Sequence, residues 1–174
     1  DGCLNVVVLF DIAKVENGGL FGYVQNANIK NVAVSCSKPI DNCLNFGAVV
    51  ASSDAKTSIS CCSHKDSLIV NGAFAVGGIS ATSDAYISGC SNDGVVISNQ
   101  KIQSFVGGLV GVGAPVIENS QNKANVCGSV VAGGIIGKLS NVDNSILVSN
   151  CVNYGTVTIN TKSENPAYQY TAGG

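Results

Sequence analysis

The residues of this sequence that could do chemistry are eight cysteines, eleven carboxylates, a single histidine and nineteen asparagines. Cys3, Cys36, Cys62, Cys90 and Cys151 recur at one position of an internal repeat, and Ser120 fills that position once. A place that takes either a thiol or a hydroxyl calls for a small packed side chain, so a structural ladder of buried free thiols is expected. Zinc would need Cys-x-x-Cys spacing or several histidines, and His64 stands alone, its proximity to Cys62 explained by repeat position. Cys43, Cys61 and Cys127 fall off that position and are the disulfide candidates, their partners left open. Asp54 and Asp84 each lie seven residues after a repeat start. Stacked on neighbouring coils they would raise one pKa or hold a cation, although two solvated turn aspartates is the plainer reading. The other acids are scattered, whereas polysaccharide cleavage needs them clustered, so no catalytic residue, metal or cofactor is expected and the chain reads as a non-enzyme.

Composition narrows the partners. Charged residues make up 11% of the chain, all nine cations are Lys, and the net charge is -2. With a pI near 5.1 there is no basic footprint for nucleic acid. A hydrophobic fraction of 45% and a mean hydropathy of +0.31 exclude a disordered chain. The longest apolar run, Val6 to Phe10, is strand-sized and far below the ~20 residues of a membrane-spanning helix.

The elements that must position these residues follow from the repeat. A glycine-rich signature starts at 18, 77, 107 and 133, with a worn copy at 47 (Gly47-Ala48-Val49-Val50-Ala51) and the beginning of another at 173. The spacings are 29, 30, 30, 26 and 40, which defines coils at 18–46, 47–76, 77–106, 107–132 and 133–172. Residues 1–17 and 173–174 read as parts of adjoining coils, as in a piece cut from a longer chain. The extra length of the last coil is placed in a loop at 161–170. Short alternating β-branched stretches such as Thr156-Val157-Thr158-Ile159 read as strands, and no helix-length amphipathic pattern occurs. Strands this short bury a face only when stacked unit upon unit. The expected fold is all-β, a right-handed parallel β-solenoid (β-helix) of about five coils with roughly 30 residues per coil. Asn92, Asn122 and Asn153, with Asn5 and Asn45, follow the Cys or Ser position by two. They are expected at or near the turn, where Asn tolerates the left-handed conformation and can bond to its equivalent one coil away.

Phe105 to Asn122 (FVGGLVGVGAPVIENSQN) resembles the GLUG repeat of bacterial and protist surface proteins, with Gly-Gly-Ile/Leu-Val-Gly followed by Ile-x-Asn-Cys-x-Asn-x-Gly. The likeness is strongest over 77–159 and weakest over 47–70, where the double glycine is lost and His64 replaces the Asn. It implies a secreted or cell-surface, adhesin-like protein in which the solenoid is a stalk; such repeats specify architecture rather than activity. The expected function is therefore structural: a rigid stalk, or a filament subunit that self-associates end to end. One alternative is an adhesin module that binds a glycan or receptor through a loop carrying Tyr168 and Tyr170. The other is a carbohydrate-active β-helix enzyme.

Overall fold

The computed structural model describes residues 5–9, 15–99, 103–140, 147–160 and 171–174. Its described residues form strands and turns with no helix. The chain is a β-solenoid of about five coils. Each coil visits five faces in turn, and each face is a parallel sheet built from the same segment of successive coils. In chain order the faces are here called A to E, and they hold six, five, six, five and five strands. Neighbouring strands of one sheet come from sequence positions roughly 30 apart: Val50, Ser80 and Val110 are successive partners in sheet D.

Side chains therefore stack in columns, each with its own repeat equivalent above and below. In sheet E the column is Ile29, Ile59, Ile87, Ile117 and Val148, in which Ile59, Ile87 and Ile117 are fully buried. Their strand neighbours alternate outward; Tyr86 and Ser88 flank Ile87 as an exposed and a half-buried residue. Sheet C contributes Phe46, Val76, Val106 and Ala132 to the same core. These columns explain why strands of two to five residues suffice: each is short, but its apolar face is continued one coil away.

The turn from sheet E to sheet A shows how strictly a column constrains its residues. Asn31, Cys61, Gly89, Asn119 and Asn150 occupy it with φ between +50° and +60°. Asn and Gly are the residues that take this conformation at least cost, and three of the nineteen asparagines stand here. The corner from sheet C to sheet D imposes a different demand. Gly47, Gly77, Gly107, Gly133 and Gly173 stand in one ladder. The start at residue 18 is one place out of line, because Gly18 pairs with Phe46, which leaves Gly19 level with Gly47. A Cβ on Gly107 would lie 1.8 Å from the Val110 carbonyl oxygen, and one on Gly77 1.9 Å from that of Ser80.

Gly107→Ala should therefore destabilise the fold by about 3 kcal/mol, the upper end of ordinary overpacking costs. Gly173→Ala, whose added Cβ meets nothing within 4 Å, should change stability by less than about 0.5 kcal/mol. Urea unfolding of the two variants beside the parent checks both values.

Candidate functional site

The chemistry-bearing residues converge on the inner face of sheet A. One column there reads Val7, Val34, His64, Asn92, Asn122 and Asn153. The three asparagines lie in the short strands just after the left-handed turn, not in the left-handed position itself; Asn92 and Asn122 are fully buried. They form a hydrogen-bonded ladder with one direction. Asn92 Nδ2 donates to Asn122 Oδ1 (2.6 Å), and Asn122 Nδ2 donates to Asn153 Oδ1 (2.7 Å). The backbone fixes which end of each amide is which. Asn122 Nδ2 also donates to the Ala124 carbonyl (2.7 Å), while its Oδ1 accepts from the Ala124 N–H (3.4 Å). Asn153 repeats this pair of contacts with Gly155, at 2.8 and 3.3 Å. Buried amides linked this way satisfy one another instead of leaving polar groups unpaired in the core.

The opposite wall makes room for them. A Cβ on Gly78 would fall 2.7 Å from Asn92 Cγ, one on Gly108 2.5 Å from Asn122 Cγ, and one on Gly134 2.3 Å from Asn153 Cγ. The second glycine of each signature is thus the space into which an asparagine reaches. The coil that carries Ala48 in place of this glycine also carries His64 in place of the asparagine. His64 joins an apolar column to an amide one. Its Nδ1 lies 2.6 Å from Asn92 Oδ1, and since that oxygen only accepts, Nδ1 carries the hydrogen. Nε2 is buried without a hydrogen-bond partner, and Val34 lies one coil below. Burial holds the imidazole pKa below its usual value, only partly offset by the Asn92 bond and the Asp66 and Asp93 carboxylates.

A second inner column of sheet A contains Cys62, Cys90, Ser120 and Cys151, one residue before the paired positions of that sheet. Thiol and hydroxyl are interchangeable in it because both make the same two bonds. Cys90 Sγ donates to the Ser88 carbonyl (3.5 Å) as Ser120 Oγ donates to that of Glu118 (2.8 Å). The Cys62 N–H donates to Cys90 Sγ (3.4 Å) as the Cys90 N–H donates to Ser120 Oγ (3.0 Å). Cys36 does not belong to this column. It pairs with Leu9, and Val32 stands in line with Cys62, 30 residues earlier. Cys36 follows Gly18 by the same 18 residues that separate Cys151 from Gly133, but the register of sheet A puts Val32 at that place. Asn5 lines up with Val32 and so stands in the cysteine column, not the asparagine one. Asn45 belongs to sheet C, where its Nδ2 donates to Asn17 Oδ1 (3.0 Å). Cys3 lies outside the described residues.

The seven described cysteines are free thiols, which corrects the disulfide expectation for Cys43, Cys61 and Cys127. Cys43 is buried, Cys61 is exposed at the left-handed turn, and Cys127 stacks between Ile97 and Thr158, so none has a cysteine as its axial neighbour. Asp54 and Asp84 do follow paired serines of successive coils, Ser53 and Ser83. Each carboxylate serves a turn: Asp54 Oδ1 accepts from Thr57 Oγ1 (2.6 Å) and the Asn26 N–H (3.1 Å), and Asp84 Oδ1 from the Ala114 N–H (2.9 Å). No cluster of three or more metal-ligating side chains occurs among the described residues. The outer face of sheet A carries an ion-pair ladder that spacing had not suggested, with Asp93 between Lys65 (2.7 Å) and Lys123 (3.1 Å). Tyr168 and Tyr170, with the 161–170 loop, lie outside the described residues. No protein family, curated protein or solved structure matches the chain.

His64 generates a pH prediction. Its folded pKa lies below the unfolded value near 6.5, so its contribution to stability is complete above about pH 6.5 and declines as the pH falls below it. Unfolding free energy measured from pH 7.5 down to about 5, above the range where carboxylates titrate, should show this decline. The paired variant His64→Asn with Ala48→Gly should abolish it. The thiols generate another. Burial, aided by Asp66, pushes Cys36 up to about 12, and burial raises Cys43 as well. Alkylation followed by peptide mapping should find Cys61 labelled first. Cys36, Cys43 and Cys90 should label on the order of 10³-fold more slowly or less, at the rate of opening.

Proposed function

We propose that this protein is a structural β-solenoid of the cell surface or extracellular space, serving as a rigid stalk or filament segment that further coils lengthen at its open edges. The observation that carries this reading is how the core columns reach the ends of the stack. Ile117 is fully buried, but Val148, its partner in the last strand of sheet E, is 44% exposed. At the other end Val50 is fully buried, and its partner Phe21 is 38% exposed. The end strands thus keep the apolar pattern of the inner ones, where a terminating coil would present a polar face.

A stack of about five coils is only ~25 Å tall at about 4.8 Å per coil, so useful reach requires more coils in line. The low charge of the surface leaves little repulsion to oppose them. The free thiols and the internal amide ladder fit the same role, because both are spent on holding one coil in register with the next.

Electron microscopy of native material, paired with light scattering over a concentration series, tests this reading. Rods or filaments longer than the ~25 Å stack, with an axial spacing in multiples of about 4.8 Å, are expected. Monodisperse particles of the 17.6 kDa chain mass at every concentration would overturn it.

A further inference from the structure

The edge of the stack beyond Asn153 is chemically selective. Each inner asparagine hands a hydrogen bond forward: Asn92 to Asn122, and Asn122 to Asn153. Asn122 uses both hydrogens of its Nδ2, one on the Ala124 carbonyl and one on the next coil. Asn153 uses one, on the Gly155 carbonyl, and its second has no acceptor among the described residues. The opposite wall is also prepared. Gly174 continues the column of Gly78, Gly108 and Gly134, being the residue after Gly173, which pairs with Gly133. Each of those three glycines faces an asparagine Cγ within 2.3–2.7 Å of where a Cβ would be; at Gly174 only Asn153 Nδ2, 3.6 Å away, comes near. Among the described residues no side chain fills the place across from Gly174.

From this pairing we infer that the Asn153 edge is a docking surface for one kind of partner: a parallel β-coil whose asparagine side chain lies over Asn153 and opposite Gly174. The inference rests on the stalk reading and names what extends the stalk. An asparagine amide does both things the column requires, accepting from the coil below and donating to the coil above, as Asn122 does. A carboxylate accepts but cannot pass the chain on, and an aliphatic side chain would bury the Asn153 hydrogen with no acceptor. The protein's own first strand is such an aliphatic case. Asn5–Leu9 places Val7 in this column, packed toward the core with Val34 as its neighbour. The edge therefore favours a coil that sets an asparagine on Asn153 over one that sets a valine there.

The test extends the 174-residue chain after Gly174 with a copy of residues 79–106, which brings the copied Asn92 over Asn153. A second extension carries Asn92→Val in the copy, and both are also made in an Asn153→Val host. Thermal unfolding gives the melting temperature, and hydrogen exchange reports whether the appended coil is folded. In the Asn153 host the asparagine extension should melt higher than the valine one by about 3 °C or more, the shift expected for roughly 1 kcal/mol in a chain of this size. In the Asn153→Val host that preference should vanish or reverse. Equal melting temperatures for the two extensions in the Asn153 host, with both appended coils protected, would overturn the inference and leave the stalk reading standing. Appended coils unprotected in every protein would overturn the stalk reading itself, since the edge would then accept no coil.

Discussion

Parallel stacking in register governs everything else in this molecule. Every residue of a coil lies directly above and below the residues at the same place in the neighbouring coils, about 4.8 Å away. A side chain must therefore be compatible with its own kind. Apolar side chains meet the condition without difficulty, and the isoleucine column from Ile29 to Ile117 is the simplest solution. Charges meet it only by alternating in sign, as Lys65, Asp93 and Lys123 do on the outer face of sheet A. Buried polar groups meet it only if donor and acceptor recur together on one side chain, which is why the inner polar column is asparagine.

The same constraint couples the two walls of the coil. An asparagine inside sheet A needs more width than the opposite wall gives unless that wall is glycine, and Gly78, Gly108 and Gly134 supply it. Changing one member alone would either leave a void or force a clash. Ala48 and His64 depart from the pattern together, and the flat ring keeps the ladder's first bond while lying over Val34. The cost is one buried ring nitrogen without a partner, which makes this junction the acid-sensitive point of the stack.

A structure built this way spends its chemical groups on cohesion. Cys62, Cys90 and Ser120 bond to backbone groups of their own and adjacent coils, and Asp54 and Asp84 hold turns. The two ends of the described sheet A column differ in chemistry: an apolar valine at one, an amide at the other. Such a rod has direction. That direction follows from the ladder, because each amide donates one way along the axis and accepts from the other.

The sequence by itself determined the architecture. Glycine signatures about 30 residues apart, short β-branched alternation and the absence of any helical period leave few folds other than stacked parallel coils. The exchange of Ser120 for cysteine likewise identified a packed structural position, because both side chains have one short polar tip. Only the tertiary structure decided how the columns line up and which way their residues face. Spacing placed Asn92, Asn122 and Asn153 two residues after the cysteine column but could not tell a turn from the strand that follows it. Folding turned them inward, and the left-handed turn fell to the residues just before that column, Asn119 and Asn150 among them. Cys36 resembled a column residue by type, and Val32 holds the place by register. A repeat records which residues are equivalent. Which face they turn to, and what they meet across the coil, depends on residues far apart in the chain, and only the closed coil brings those together.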